Sequence, residues 1–398
     1  MEKRFAVLLS GPVDNDYRVI KTITALSTIG KVDLYCLADH NQNFATNKQV
    51  TVYLFQLPTS LFSTFLRHSF FCFEFSFLVQ IVLNNEKKYH AIWANDLPTL
   101  YPASKIAKAL GANLIYDAHE IYCETLNQFF PQKSTLFKKT IFQGLITFMR
   151  LHGSFFEKKT TQKVDLFITV NESISNYFKK QYDLSQHPTV IMNYPAPINT
   201  EIIPYPYRDK FKWGTNDLVF LYQGILNAGR GLPVLIDLFH QLPKSNKLVI
   251  LGNGGLEKQL KKAAAQNQAT NIVFLDLVPL NELPSYTAGA DIGFNLLEPL
   301  NLSKQMASPN KLFEYIQAGI AVIGSETIEN KKVISVNDIG LVSAPTVADL
   351  EVAIRSLTNE KLNEYKSNSR KISAKYSWES QEETLISTIQ NMFDGKTT

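Results

Sequence analysis

The stretch "SPNKLFEYIQAGIAVIG", residues 308–324, combines one predicted helix with one predicted buried strand. Ser308 is predicted to cap the helix, and Pro309 suits its first position, where no backbone N–H is needed. Gly319 is predicted to end the helix, and the uncharged run after it is typical of a strand buried on both faces. A helix that leads into such a strand is half of a β-α-β unit.

The predicted helix has an apolar face and a polar face. Leu312, Phe313 and Ile316 share the apolar face, and the polar face carries Asn310, Glu314 and Gln317. Taken alone, these residues fit two interpretations. One is a solvated surface helix, and the other is a helix whose N-terminus and Lys311 face an anion such as phosphate.

The composition limits the class of protein. A chain of 398 residues suggests two domains, and 45% hydrophobic with 19% charged residues is ordinary for a globular protein. A net charge of +4 is too small to indicate nucleic-acid binding. Cys36, Cys72 and Cys123 form neither a metal pattern nor a disulfide framework, which predicts a cytoplasmic protein. The N-terminal apolar run of about six residues predicts a strand rather than a signal peptide.

Short apolar runs alternate with helical patterns in both halves of the chain. This order predicts β-α-β units and parallel sheets in two blocks, which is an α/β fold class. A proline-rich segment, residues 193–214, separates the blocks and predicts a domain boundary near residues 195–205. The predicted strands are residues 5–10, 31–37, 91–95, 113–119, 164–170, 218–224, 247–253, 271–276, 291–297 and 321–325.

Open parallel sheets bind ligands at the carboxyl ends of their strands, so the residues just after each strand are the candidate ligand contacts. Gly224 and Gly252 end two predicted strands, and Arg230 follows the first of them between Gly229 and Gly231. Glycine would let the backbone approach a ligand, and a guanidinium suits phosphate. This is neither a Walker loop nor G-x-G-x-x-G, and a plain glycine-rich turn fits equally well.

A third strand end in the second half is apolar. Leu277 and Val278 could offer backbone groups to a flat base, with Tyr286 as a packing partner, although a structural loop fits these residues too.

Polar residues also follow two predicted strands of the first half. Asn95 and Asp96 follow one strand, and Asp117, His119 and Glu120 end the other. A histidine at a strand end is often merely packed. A histidine beside carboxylates on the ligand side of a sheet is equally suited to polar contact with a substrate.

Together these motifs resemble the retaining, nucleotide-sugar-dependent glycosyltransferases of family 4, which have the GT-B fold. The resemblance is carried by "YQGILNAGRGLPVLI", "LVILGNGG", "NIVFLDLVPLNELPSYTAGADIGF" and "SPNKLFEYIQAGIAVI", and more weakly by "AIWANDLPTL", "LIYDAHE" and "VDLFITVNESISNYF". It implies two Rossmann-like domains with parallel sheets facing across a cleft. Residues 1–200 would bind the acceptor, residues 201–375 would bind the nucleotide sugar, and a helix within residues 376–398 would cross back to the first domain.

The resemblance also implies roles for single residues. Arg230 and Lys311 would hold the donor diphosphate, and His119 would contact the transferred sugar, so these three are the expected catalytic residues. Glu314 matches the second glutamate of the family's E-x7-E motif and would bind the ribose. The remaining expected contacts are Gly224, Gly252, Val278 and Asn310 for the donor, and Asn95, Asp96 and Glu120 on the acceptor side.

Two positions depart from the family pattern. Met306 stands where the first glutamate of E-x7-E is expected, and Asn310 or the backbone near Ser308 would have to replace it. Ile225 stands where an arginine is frequent, so one of the two usual diphosphate cations is either missing or supplied elsewhere, for example by Lys311 or Arg18. Both departures leave the identity of the donor open.

The implied activity is transfer of a sugar from a nucleoside-diphosphate sugar, with UDP or GDP, to a hydroxyl of a glycan or lipid-linked saccharide. Retention without a metal ion or a separate cofactor is expected. Two alternatives remain at this point: a sugar-nucleotide epimerase of the same fold, and a two-lobed sugar-binding protein. The second alternative usually requires a secretory signal.

Two segments raise the possibility of contact with the inner face of the plasma membrane. Residues 132–163 hold seven basic residues and one acid, Glu157, and Phe137, Ile141, Leu145 and Phe148 fall on one helix face. That face suits either an anionic membrane surface or packing on the first-domain sheet. The Phe-rich segment 60–83 predicts one or two buried or half-buried helices, with membrane contact as the alternative. The basic residues are Lys133, Lys138, Lys139, Arg150, Lys158, Lys159 and Lys163.

Overall fold

The computed structural model describes residues 2–38, 47–126, 136–198, 201–266 and 270–395, with the backbone alone for Asn15 and residues 136–139. The chain divides into two compact units. The first is Met1–Met192 with Gln381–Thr398, and the second is Asn193–Ser380. The chain therefore leaves the first unit just before the proline-rich segment and returns to it within the last helix.

The first unit contains one parallel sheet. Its strands, within the described residues, are β1 (Lys3–Leu8), β2 (Gly30–Leu37), β3 (Val50–Phe55), β4 (Ala91–Asn95), β5 (Asn113–Ala118), β6 (Leu166–Thr169) and β7 (Thr189–Val190). They lie in the order β3-β2-β1-β4-β5-β6-β7, and every pair is parallel. β4 is uncharged and fully buried, and β1 is apolar and buried from Phe5 to Leu8, as expected for a sheet covered by crossover helices.

The second unit contains another parallel sheet. Its strands, in the part of the unit that is described, are β8 (Leu218–Gln223), β9 (Asn246–Leu251), β10 (Ile272–Leu275), β11 (Ile292–Asn295), β12 (Ala321–Ser325) and β13 (Gly340–Ser343). They lie in the order β10-β9-β8-β11-β12-β13. The order reverses direction at β8 and β11, and in open α/β sheets that is where ligands bind.

Helices connect the strands of both sheets. Those in the described ranges are α1 (Tyr17–Ile29), α2 (Leu61–Ser69), α3 (Leu78–Leu83), α4 (Asp96–Leu110), α5 (Tyr122–Thr125), α6 (Leu136–Thr161), α7 (Glu172–Gln181), α8 (Tyr207–Phe211), α9 (Leu232–Gln241), α10 (Glu257–Gln266), α11 (Leu283–Ala288), α12 (Leu302–Gln305), α13 (Asn310–Gln317), α14 (Ile328–Asn330), α15 (Val347–Arg355), α16 (Asn359–Ile372) and α17 (Trp378–Phe393). Short 3-10 turns occupy Val13–Asn15, Phe71–Phe73 and Ser373–Tyr376, and a π-helical turn occupies Lys331–Ser335.

Each of the ten predicted runs contains a strand, so the predicted α/β class with two parallel sheets is confirmed. The sequence did not predict β3, β7 and β13, all of which lie at sheet edges. Edge strands are paired on one side alone and bury less apolar surface, and β7 is only 2 residues long. β7 and β13 are therefore too short to stand out, whereas β3 was missed although its sequence, VTVYLF, is typical of a strand.

Helix α13 corrects the predicted cap of the opening stretch. Pro309 is the N-cap and forms no capping bond, whereas Ser308 was predicted to fill that role. The Ser308 hydroxyl instead donates to Glu329 Oε2 at 3.3 Å. The predicted stop is confirmed, because Gly319 follows the C-cap Ala318 with a φ of +69°, a conformation that favours glycine.

The predicted faces of α13 are confirmed. Leu312, Phe313 and Ile316 are buried, whereas Asn310 is exposed. Glu314 and Gln317 are partly exposed. The apolar face packs the helix against the sheet of its own unit, so the polar residues of its first two turns are left out of the apolar core.

Segment 60–83 forms two helices as predicted, but α2 is far more exposed than expected. No residue of α2 is buried, while α3 buries Leu78 and Val82. Leu61 and Phe62 are 92% and 70% exposed. Within the described ranges, no helix is long and apolar enough to cross a membrane.

Candidate functional site

The ends of β8 and β9 approach each other closely in the second unit. Gly252 follows β9 with a φ of +143°, and a Cβ atom at this position would lie 2.0 Å from the carbonyl oxygen of Gly224. No side chain fits that gap, so the approach requires glycine at position 252. The two strand ends thus form a tight backbone surface beside the residues predicted to bind the donor.

Lys311 is a buried lysine in the first turn of α13. It is 6% exposed, and its Nζ lies 3.6 Å from the ring centre of Tyr222. Among the described residues, this Nζ has no hydrogen-bond partner. Burial and the nearby charge of Arg230 lower the pKa of Lys311 well below its ordinary value, and Glu314 raises it. A buried amine without an acceptor is suited to receive an anionic ligand.

Arg230 lies beside Lys311 in the loop between β8 and α9. It is partly buried and hydrogen-bonds to the side chain of Tyr222. Burial raises the pKa of Tyr222 to about 12, although Arg230 opposes the shift. The structure therefore brings both predicted diphosphate residues to one tyrosine at the end of β8.

Glu314 lies one turn after Lys311 on α13. Its Oε2 accepts a hydrogen bond of 2.5 Å from Nε2 of Gln223, the last residue of β8. Gln223 Oε1 in turn accepts a hydrogen bond of 2.8 Å from the Thr287 hydroxyl. The carboxylate is therefore held in place by the sheet, at the strand end where Lys311 and Arg230 also lie.

The other predicted donor residues lie at helix and strand ends of the same unit. Asn310 is the exposed first residue of α13, and Val278 lies in the loop after β10. Tyr286 stacks on Tyr205 with ring centres 4.2 Å apart, so this ring already has an aromatic partner. Met306 ends α12 and is partly exposed.

The first unit carries a second polar cluster, at the carboxyl end of β5. Arg18 Nη2 lies 2.6 Å from Asp117 Oδ1, and Arg18 Nε donates to Asp117 Oδ2 at 3.1 Å. Arg18 Nη1 also donates to the carbonyl of Ile191 at 2.6 Å. Since Arg18 is buried and already neutralised by Asp117, the suggestion that it supplies a spare diphosphate cation is wrong.

His119 lies between two carboxylates in this cluster. Its Nδ1 is 3.4 Å from Asp96 Oδ2, and its Nε2 is 3.4 Å from Asp117 Oδ2. Burial acts to lower the pKa of His119, but Asp96 and Asp117 raise it to about 9. Because that pKa lies above neutrality, His119 is an imidazolium near pH 7, with a proton on each ring nitrogen.

Asp96 is held in an unusual backbone conformation. Its φ is +57°, and its Oδ1 accepts a hydrogen bond of 2.8 Å from the backbone N–H of His119. A left-handed non-glycine residue is strained and persists where its surroundings fix it, often at functional sites. Here the aspartate fixes both the main chain and the ring of His119.

Asn95 and Glu120, the remaining predicted acceptor-side residues, differ in burial and in their hydrogen bonds. Asn95 is buried, and its Nδ2 donates to the carbonyl of Leu8 at 2.9 Å, which is a structural contact. Glu120 is partly exposed and accepts a hydrogen bond from the Thr125 hydroxyl at 3.1 Å. In the part of the chain that the structure describes, no group of three or more His, Cys, Asp or Glu side chains is arranged to hold a metal ion.

Comparison with known sequences identifies the second unit. Residues 206–376 match the family described as glycosyl transferases group 1. The second unit is therefore similar to a glycosyl transferases group 1 domain. This domain spans β8 to β13 and includes Arg230, Lys311 and Glu314. A comparison with curated protein sequences gives no match.

Comparison with solved structures covers the whole chain. HepE of Anabaena, solved with UDP and glucose, has a TM-score of 0.71 at 15% identity over 98% of this chain and 100% of its own. Sucrose-phosphate synthase of Thermosynechococcus elongatus has a TM-score of 0.74 at 15% identity over 99% and 100% of the two chains. WaaG, a glycosyltransferase involved in lipopolysaccharide biosynthesis, has a TM-score of 0.65 at 18% identity over 96% of this chain and 98% of its own. The chain has the GT-B fold, and the domain match with this fold supports a glycosyltransferase.

Sequence reasoning missed three residues of these clusters. Tyr222 and Gln223 were interpreted as ordinary residues of a buried strand, and Thr287 as part of a plain helix. A glutamine at the end of an otherwise apolar strand was a usable signal, because a buried amide requires hydrogen-bond partners.

Proposed function

We propose that the protein is a retaining glycosyltransferase that uses a nucleoside-diphosphate sugar as its donor. The observation that carries the proposal is the group at the end of β8, where Arg230, Lys311 and Glu314 lie together in a glycosyl transferases group 1 domain. Lys311 is buried without a hydrogen-bond acceptor among the described side chains, so a diphosphate would complete its environment. The UDP bound to HepE supports UDP as a donor nucleotide.

The proposed roles follow from charge and hydrogen bonding. Departure of the nucleoside diphosphate leaves negative charge on its phosphate oxygens. Arg230, Lys311 and the free N–H groups at the start of α13 would stabilise that charge. Glu314 can accept hydrogen bonds from the ribose hydroxyls, and Gly224, Gly252, Val278 and Asn310 would complete the donor contacts. No metal ion is required for this charge stabilisation in the proposal.

His119 is assigned to the transferred sugar. His119 Nδ1 faces Asp96, whereas Nε2 has no hydrogen-bond partner among the described residues, so the imidazolium can donate from Nε2 to a sugar hydroxyl. Asp96 and Glu120 are proposed to lie on the acceptor side, whereas the burial of Asn95 favours a structural role. In the retaining reaction, the bond from the anomeric carbon to the phosphate oxygen breaks. The acceptor oxygen bonds to that carbon on the same face, and its proton passes to the leaving phosphate.

The proposed activity is tested by incubating the protein with UDP-glucose or GDP-mannose, with and without a panel of glycosides and lipid-linked sugars as acceptors. A transferase releases the nucleoside diphosphate only when a suitable acceptor is present, and the product keeps the anomeric configuration of the donor. An epimerase would instead form a new sugar nucleotide without an acceptor. Binding of free sugars without turnover of any donor would favour the sugar-binding protein.

We further propose that an exposed apolar surface of the first unit rests on an anionic membrane, where a lipid-linked acceptor would be found. On α6 the buried face contains Ile146, Met149 and Glu157, whereas Ile141 and Phe148 are 54% and 46% exposed. The suggestion that the face with Ile141 and Phe148 packs on the sheet is therefore wrong. The structure does not describe the side chains of Phe137, Lys138 and Lys139, and Lys133 lies outside the described residues.

The exposed surface continues from α6 to α2. Phe70 contacts the ring of Phe148 at 5.4 Å between centres and that of Phe65 at 6.1 Å. Lys159 is exposed at the C-terminal end of the α6 face, and Lys158 is 42% exposed beside Asp183. Apolar side chains flanked by lysines are typical of surfaces that bind anionic bilayers. The exposed apolar residues of this surface are Leu61, Phe62, Phe65, Ile141, Phe148, Leu151 and Phe155.

Replacing Phe62 and Phe65 by serine is expected to abolish sedimentation with anionic phosphatidylglycerol vesicles. Both rings are more than half exposed, so the change should leave the fold intact. The matched control, Val352→Ser, removes an exposed apolar side chain from the second unit and should sediment like the wild type. Neutral vesicles should bind less protein than anionic ones. A wild-type protein that stays in the supernatant with anionic vesicles at low salt would rule out the membrane proposal.

A further inference from the structure

Strand β8 ends with two residues to which the proposed function gives no role, Tyr222 and Gln223. Both are buried, and the side chain of each contacts a side chain of α13. The ring of Tyr222 lies under Lys311 Nζ, and the amide of Gln223 binds the carboxylate of Glu314. Consecutive residues of one strand thus contact the two α13 residues that are assigned to the donor.

We propose that Tyr222 and Gln223 are positioning residues for the nucleotide donor. Tyr222 would place the two cations for the diphosphate, and Gln223 would place the Glu314 carboxylate for the ribose. The proposal rests on the proposed function, because it assumes that Lys311, Arg230 and Glu314 bind the donor. It adds that the two neighbouring residues support different parts of the donor site, and this difference can be tested by itself.

Tyr222 contacts both cations with different parts of one side chain. The face of its ring attracts the Lys311 ammonium, a cation–π contact that is strongest when water is excluded. Its hydroxyl donates to the carbonyl of Ile225 at 3.0 Å, and its oxygen can accept from Arg230, because a guanidinium only donates. The ring holds the Lys311 amine in place without accepting its N–H groups in a hydrogen bond, so these donors stay available for a diphosphate.

Gln223 holds Glu314 in one orientation. A carboxylate only accepts hydrogen bonds, so the amide nitrogen of Gln223 must face Glu314 and the amide oxygen must face Thr287. The backbone N–H of Gln223 also points to the Tyr315 hydroxyl at 3.4 Å. A neutral amide fixes the position of Glu314 and leaves its negative charge in place, as a ribose-binding acceptor requires. An arginine or lysine in its place would neutralise that charge.

The test compares calorimetric affinities for UDP and for pyrophosphate, which lacks a ribose. Tyr222→Leu is expected to lower the affinity for both ligands by about tenfold, because it removes the side chain that positions Lys311 and Arg230. Gln223→Leu is expected to weaken UDP by about tenfold and to change pyrophosphate affinity less than twofold. Tyr222→Phe, which keeps the ring under Lys311, should recover part of the loss.

Two further variants separate positioning from loss of stability. Thr287→Val keeps Gln223 but removes the hydrogen bond to its amide oxygen. It should weaken the binding of UDP but not of pyrophosphate, and by less than Gln223→Leu does. Phe294→Leu alters the core of the same sheet, where this ring packs against Phe220 and Phe239. It should lower the melting temperature without changing the ratio of the two affinities.

Each outcome decides the proposal. If Lys311→Ala and Glu314→Gln lose affinity while the Tyr222 and Gln223 variants bind like the wild type, the positioning proposal is wrong and the proposed function stands. Equal losses of UDP and pyrophosphate in Gln223→Leu would also overturn it, since they would indicate a general structural effect. A wild-type protein that binds UDP, GDP and pyrophosphate equally poorly would overturn both proposals.

Discussion

Replacing His119 by alanine is expected to lower kcat for sugar transfer by about 10²- to 10³-fold, the usual effect of losing one preorganised electrostatic contact. Nucleoside diphosphate should still bind with wild-type affinity, because His119 belongs to the first unit and the diphosphate residues belong to the second. The measurement is kcat by nucleoside-diphosphate release, beside Kd for UDP by calorimetry. The matched control is His187→Ala, an exposed histidine of the same unit, which should behave like the wild type.

The pH dependence gives a second readout of the same residue. Because Asp96 and Asp117 raise the pKa of His119 to about 9, the imidazolium is present below that pH and is lost above it. Transfer by the wild type should therefore fall as the pH rises through about 9, and this particular step of the pH profile should be absent from His119→Ala. If His119→Ala has near-normal turnover, this histidine has a purely structural role.

Replacing Arg18 by methionine is expected to destabilise the protein by about 3–5 kcal/mol, the usual cost of breaking a buried ion pair from one side. Arg18 is 4% exposed and Asp117 is 1% exposed, so little water can replace the lost partner. The variant also loses the bond to the Ile191 carbonyl, which ties α1 to the end of β7. The free energy of unfolding in urea measures the effect.

The control for Arg18 is an arginine paired at the surface. Arg355 lies 2.7 Å from Glu351 on α15 and is 58% exposed, so Arg355→Met should cost at most about 1 kcal/mol. If Arg18→Met is as mild as Arg355→Met, the buried cluster around Asp117 does not anchor the first unit. His119 would then owe its position to Asp96 alone.

The central strands and the faces of α13 could be predicted because they depend on local patterns. Uncharged runs such as 218–224 and a 3.6-residue period such as Leu312, Phe313 and Ile316 are visible in the sequence itself. The edge strands β3, β7 and β13 escaped, since an edge buries little apolar surface. The predicted N-cap of α13 was wrong because the Ser308 hydroxyl donates its hydrogen bond to Glu329, which is 21 residues away in the sequence.

The contacts of the site that could not be predicted join residues that are far apart in the sequence. Arg18 and Asp117 are 99 residues apart, and Gln223 and Glu314 are 91 apart. No spacing in the sequence reveals such contacts. Arg18 was therefore available in principle as a phosphate ligand until the fold placed it against Asp117. Conversely, Tyr222 and Gln223 gained a role only when α13 was placed at the end of β8.

The central claim is that the start of α13 and the end of β8 form a nucleoside-diphosphate site, and Lys311 tests it most directly. We expect calorimetry to show binding of UDP or GDP to the wild type. Lys311→Ala should weaken that binding by about 1.5–3 kcal/mol, or roughly 10- to 150-fold, as for other hydrogen bonds to charged groups. Lys262→Ala, an exposed lysine on α10, should bind like the wild type. A wild-type protein that binds neither nucleotide, or a Lys311→Ala variant that matches Lys262→Ala, would contradict the account.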